Sequence, residues 1–322
     1  MEALIRAAAI GLAITAVLPF ALILSQRPAD MLPAAPEKGL DFSAVSAGPD
    51  MPEPETVPMR DGYPLQVRSF DNGVGPLVVM VHGSGWNGLQ YATLARQIAG
   101  HVLVPDLRGH GAAPGRRGDV EYIGQLEDDL ADLIAARVQP RQKVVLLGHS
   151  SGGGLVVRFA GGQHGGRLDR AVLLAPFLKY DAPTTRKNSG GWAQPLTRRI
   201  IGLSMLNALG ITWFNHLTVI QFAMPKQVLD GPLGHLATTE YSYRLNTSYA
   251  PRSDYLADIR ALPEFFVMAG EKDEAFVAEG YEPLMAPVTH RGSYRIIPGV
   301  GHLGIVDAPE TAMAVKEFLN GI

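Results

Sequence analysis

Seven short apolar runs between Pro64 and His302 constrain this chain more than any other feature. They read "PLQVRSF" (Pro64–Phe70), "PLVVMVHG" (Pro76–Gly83), "HVLVPDLRG" (His101–Gly109), "KVVLLGHS" (Lys143–Ser150), "RAVLLAPF" (Arg170–Phe177), "EFFVMAGEKD" (Glu264–Asp273) and "SYRIIPGVGH" (Ser293–His302). Several are hydrophobic without a break, as expected of strands covered on both faces. Helical patterns lie between them. Ile123, Leu126, Leu130, Leu133 and Ile134 share one helical face, with Glu127, Asp128 and Asp129 off it. "AMAVKEFL" near the C-terminus has the same character. Strands alternating with helices predict an α/β fold, a mainly parallel sheet with helices on both faces. At 322 residues the chain suits one large domain of this kind, with room for an insertion.

The alternation stops from about Lys179 to Asp258, where no strand pattern stands out. "LTRRIIGLSMLNALGITWFNHL" (Leu196–Leu217) is helical and apolar on one face. A stretch this long has structure of its own. The expected reading is a helical cap, residues 179–258, set between core segments 59–178 and 259–322.

The N-terminus differs in kind. Ala7–Leu24 is eighteen residues without a charge, flanked by Arg6 and Arg27. That approaches the roughly 20 residues of a membrane helix, and "ILSQ" after it is a poor cleavage site. Residues 1–25 are therefore expected to anchor the chain in a membrane, with the globular part on the extracytoplasmic side. Export after cleavage of a signal peptide is the alternative. Residues 26–58 are rich in proline and hold no apolar period, which predicts a flexible tether. The net charge of -3 gives no reason to expect nucleic acid. With no cysteine in the chain, disulfides and thiolate chemistry are excluded.

Chemistry centres on "LLGHSSGGG", Leu146–Gly154. Gly148-His149-Ser150-Ser151-Gly152 fits G-x-S-x-G, follows a buried-strand run and opens a helix. At such an elbow the serine backbone is strained and bulk two residues either side would clash. A phosphate loop would need a lysine after its last glycine, but Leu155 follows Gly154. A serine nucleophile needs a base, and the base needs an acid to orient it. Both belong at the carboxyl ends of later strands. Asp273 and His302 end the last two runs, in the order Ser150, Asp273, His302. Glu271 is the alternative acid. His82 and His110 sit in turns and read as structural, while His290 precedes its strand. Amide donors for a tetrahedral intermediate are expected from Ser151 and from Ser84, in the loop "VHGSGWNG".

Ser150, Asp273, His302, the His82-Gly83-Ser84 loop and "DLRGHG" (Asp106–Gly111) together resemble the α/β-hydrolase superfamily. The likeness is to its serine-aminopeptidase-like and monoacylglycerol-lipase- or lysophospholipase-like branch. It implies an eight-stranded type of sheet, an acyl-enzyme mechanism, and neither metal nor organic cofactor. Members with an aspartate nucleophile are disfavoured by Ser150. Proline-specific aminopeptidases of the fold often carry tryptophan after the nucleophile, where this chain has Ser151. The expected substrate is a carboxylic ester with an apolar, lipid-like acyl chain, in a pocket that includes Trp86, Trp213 and Phe214. A serine aminopeptidase or amidase is the second reading, and a non-catalytic binding protein on the same fold the third. No protein partner is evident from the sequence.

Overall fold

The structure is a computed structural model that describes residues 1, 2, 6, 11, 17–30, 40–42 and 51–321. Among these described residues the strands are β1 (Glu55–Pro58), β2 (Pro64–Asp71), β3 (Leu77–Val81), β4 (His101–Asp106), β5 (Val144–His149), β6 (Arg170–Leu174), β7 (Ala193–Pro195), β8 (Thr218–Phe222), β9 (Glu240–Ser242), β10 (Glu264–Gly270) and β11 (Gly292–Ile297). Eight of them form one sheet in the order β1-β2-β4-β3-β5-β6-β10-β11. All pairings from β4 to β11 are parallel, and only β1 and β2 run against their neighbours. Every residue of β3 and of β5 is buried, as their unbroken apolar runs require. The core is therefore the α/β-hydrolase sheet expected from the sequence.

The helix Gln125–Arg137 buries Leu126, Leu130, Leu133 and Ile134. Glu127, Asp128 and Asp129 are also buried, contrary to the amphipathic reading. Glu127 pairs with Arg158 and Arg252, Asp128 with Arg60 and His164, and Asp129 with Arg108. Burying these carboxylates is tolerable because each has a cationic or hydrogen-bonding partner.

Between β6 and β10 the chain leaves the sheet, and the stretch expected as a helical cap is not purely helical. β7, β8 and β9 form a small antiparallel sheet inside it. The helix Thr197–Ala208 covers only the first part of the stretch predicted as one helix. Gly210, with φ of 77°, follows its end.

The tether ends earlier than expected, because Glu55–Pro58 pairs with β2. Leu40 and Phe42 are buried in the main core. Much of the Ala7–Leu24 run lies outside the described residues. Residues 17–24 are helical and pack on the cap helix: Ile23 joins Leu203, Leu206 and Val219 in a second apolar cluster. A Cβ on Gly202 would overlap the carbonyl of Pro19 and crowd Ile23, so this glycine permits the close approach. Gln26 accepts from the Arg198 amide at 2.8 Å, and Gln221 exchanges two hydrogen bonds with the Ala29 backbone. Among the described residues no helix is long and apolar enough to cross a membrane.

Candidate active site

Ser150 sits between the end of β5 and the helix Ser151–Gly161, with φ of 55° and ψ of -123°. A non-glycine residue there is strained, and such strain persists only where surroundings enforce it. The enforcement is visible. The Ser150 amide donates to Leu174 at 2.9 Å, and its carbonyl accepts from Phe177 at 2.9 Å and Gly154 at 3.1 Å. A Cβ on Gly152 would overlap the Val81 carbonyl oxygen, and one on Gly148 would overlap that of Gly152. Both glycines of the motif are thus sterically required.

Two parallel strands further along, β10 delivers Asp273 and β11 delivers His302. His302 Nδ1 lies 2.9 Å from Asp273 Oδ2, and both residues are buried. Asp273 Oδ1 accepts from the amides of Ala275 at 2.8 Å and Phe276 at 2.7 Å. Burial alone would raise this carboxyl. The His302 charge, its hydrogen bond and the two amides outweigh burial and hold it below the usual carboxylate range. The alternative acid is elsewhere: Glu271 is exposed and accepts from the Gly299 amide. Ser150 and His302 line one cavity together with Leu40, Phe42, Trp86 and Trp192.

The loop after β3 is fixed on both sides of Ser84. The Gly83 amide donates to Gln90 Oε1 at 3.2 Å and the Gly85 amide to the Tyr241 hydroxyl at 2.8 Å. Neither the Ser84 nor the Ser151 amide donates a hydrogen bond among the described residues. Ser84, Ser150 and Ser151 line a second cavity, walled by Phe177, Phe222 and Phe276. Trp192 borders both cavities and donates from Nε1 to Ser84 Oγ at 3.2 Å.

Trp86 lines the first cavity. Trp213 and Phe214 do not line either one. Trp213 is 82% exposed, and Phe214 packs edge-on against Phe20. Both follow the cap helix in sequence, and Phe214 lies on the side that receives residues 17–24. Sequence reasoning missed Leu40, Phe42 and Trp192. The first two sit in proline-rich chain without period, and Trp192 follows two glycines in a loop. His82 and His110 are buried struts. His82 Nε2 accepts from the Leu107 amide at 3.1 Å, and His110 Nε2 lies 2.6 Å from the Tyr241 hydroxyl. His290 is exposed, just ahead of β11.

A model of the alpha/beta hydrolase family matches residues 78–315. The chain belongs to that family. A protein phosphatase methylesterase 1 from Gibberella zeae is 31% identical over 273 residues, 77% of this chain and 66% of that protein. A monoacylglycerol lipase of Mycolicibacterium smegmatis is 31% identical over 105 residues, 31% of this chain and 37% of that protein. The chain also spans 37% of the length of the uncharacterised Mycobacterium proteins that match it at 33% identity. Among solved structures, a membrane phospholipase A described as a bacterial virulence factor superposes with a TM-score of 0.56 at 17% identity. That match covers 99% of this chain and 97% of the phospholipase, and at this identity it speaks for the fold. Relatives named as esterases are among the proteins it resembles.

Proposed function

We propose that the protein is a serine hydrolase that cleaves carboxylic esters through an acyl-enzyme. The observation that carries this reading is the buried His302–Asp273 pair opening on the same cavity as Ser150 at its strained elbow. Ser150 Oγ attacks the ester carbonyl carbon while His302 Nε2 takes its proton. The oxyanion accepts from the Ser84 and Ser151 amides. As the tetrahedral species collapses, the C–O bond breaks and His302 returns the proton to the departing alcohol. Water, deprotonated by His302, then releases the acid and regenerates Ser150. Asp273 holds the ring by Nδ1 and stabilises its cation.

The two cavities divide the substrate. His302 protonates the leaving group, so the alcohol occupies the cavity that His302 lines. The acyl chain takes the second cavity, beside both amide donors, where Phe177, Phe222 and Phe276 favour an apolar chain. A lipid-like ester fits these walls, and relatives named as a methylesterase and a monoacylglycerol lipase support ester chemistry over amide chemistry. Attachment to a membrane through Ala7–Leu24 is part of the same reading. Its support is the uncharged run itself and the exposed apolar side chains of Val17 and Leu24 within it.

Labelling with a fluorophosphonate probe tests the mechanism. The wild type and Ser151→Ala are expected to label, and Ser150→Ala is expected not to. Labelling that survives Ser150→Ala and disappears in Ser151→Ala overturns it.

A further inference from the structure

The base of this site hangs on a loop that has little regular structure of its own. Gly299, with φ of 73°, and Gly301 precede His302, and β11 has already ended at Ile297. Asp273 grips only the ring, at Nδ1. A single ring contact leaves the backbone that carries the ring free to shift, and catalysis tolerates little misplacement.

Both polar groups of the His302 backbone are taken by side chains. Its amide donates to Glu274 Oε2 at 2.7 Å. Its carbonyl lies 2.9 Å from His149 Nε2. Glu274 follows the acid in sequence, and His149 precedes the nucleophile. We propose that Glu274 and His149 are positioning residues, which clamp the catalytic histidine by its own backbone and so tie its loop to the ends of β10 and β5. The inference rests on the serine-hydrolase reading of the site.

The chemistry of each contact is specific. A carboxylate accepting from an amide makes a charge-assisted bond, shorter and stronger than a neutral one. Gly301 leaves room for it, since a Cβ there would stand 3.1 Å from both carboxylate oxygens. A carbonyl can only accept, so His149 must carry its proton on Nε2. Its Nδ1 is then a bare lone pair, and among the described residues it has no partner. Full burial, with no acceptor facing Nδ1, keeps His149 neutral. Neutrality matters because its ring stands 4.7 Å from that of His302, tilted by 39°. A cation there would oppose the imidazolium that forms when Ser150 gives up its proton. Phe276 also packs edge-on with the His302 ring at 5.1 Å. Ring and backbone are thus held from different elements, and the motion left to Nε2 is small.

The test compares isosteric and apolar replacements. Glu274→Gln keeps an acceptor for the amide, and His149→Gln keeps a donor at the reach of Nε2. Glu274→Leu and His149→Leu keep bulk without the hydrogen bond. On a short soluble ester, the two leucine variants are expected to lose at least tenfold in kcat with KM changed less than twofold. The glutamine variants should recover most of that loss. Amide hydrogen exchange at His302 reads the clamp independently of catalysis: it should be slow in the wild type and Glu274→Gln, and fast in Glu274→Leu. Far-UV circular dichroism confirms that each variant is folded. Equal kcat for the leucine and glutamine variants, or unchanged exchange at His302 in Glu274→Leu, overturns the clamp. Slow exchange at His302 in a wild type that takes no fluorophosphonate would instead sink the serine-hydrolase reading and leave the clamp as a structural fact.

Discussion

Lowering the pH should destabilise this protein well before its carboxylates titrate. His82, His110 and His149 are fully buried. Burial is the main cause in each case, and it pushes His82 down to about 4, His149 down to about 3 and His110 well below its ordinary 6.5. The proximity of His302 lowers His149 further, and that of His82 lowers His110. In the folded protein all three stay neutral through mild acid, whereas in the unfolded chain each gains a proton below 6.5. The unfolded state then binds more protons, so the stability they contribute is complete above 6.5 and is lost as pH falls from there toward 4. For a group protonated only when unfolded, the loss at pH 5.5 relative to pH 7.5 is about 1.4 kcal/mol, and three such groups cost about 4 kcal/mol. That is a large part of the roughly 5–15 kcal/mol that holds a typical domain together. Urea unfolding at pH 7.5, 6.5 and 5.5, at constant ionic strength, measures it directly. The midpoint should fall steeply with the m-value unchanged, and His110→Phe should remove about a third of the fall. A free energy at pH 5.5 within about 1 kcal/mol of that at pH 7.5 would refute the reasoning, because the histidines would then titrate alike in both states.

Three further outcomes follow from the site. His302→Ala and Asp273→Asn should each lower kcat by orders of magnitude, and the double variant should lose little more, since residues acting as one unit are not additive; stopped-flow kinetics on a chromogenic ester would expose additive losses. Phe42→Ala and Trp192→Ala should shift preference toward bulkier alcohols, measured as the ratio of kcat/KM for two esters differing only in the alcohol, whereas Trp213→Ala should leave that ratio unchanged. Gly152→Ala should cost more than about 3 kcal/mol or prevent folding, because its Cβ meets backbone oxygens that cannot retreat; a melting temperature near that of the wild type would contradict the close approach at the elbow.

The core strands were legible because burial on both faces leaves a signature that short windows can read. Val144–His149 is apolar up to the elbow, and Glu264–Gly270 is nearly so. Asp273 and His302 could be picked out because each stands just past such a run. The cap sheet could not. β7 and β9 have three residues each, β8 has five, and none alternates cleanly. Their pairing partners lie far apart in sequence, so the pattern exists only after folding. Trp213 and Phe214 were misplaced for a related reason. Apolar character marks a side chain that seeks cover, but it does not say which surface provides it. Residues 17–24 supply that cover for Phe214 through Phe20. Leu40 and Phe42 carry the reverse lesson: a proline-rich stretch without period can still place two side chains in a pocket wall.

The sheet order has a consequence for how the protein is made. Ser150 lies on the fifth strand across the sheet, whereas Asp273 and His302 come from the last two strands of the same edge, after the cap. A ribosome therefore finishes the elbow long before the base. At about 5–20 residues per second, the interval between Ser150 and His302 is roughly 8–30 s. During that time the proposed nucleophile is an ordinary, unactivated hydroxyl. A nascent chain, or one cut anywhere ahead of His302, carries the serine without the means to ionise it. On the proposed mechanism activity therefore arrives only with the segment after the final strand, and a chain released early would be inert rather than indiscriminate.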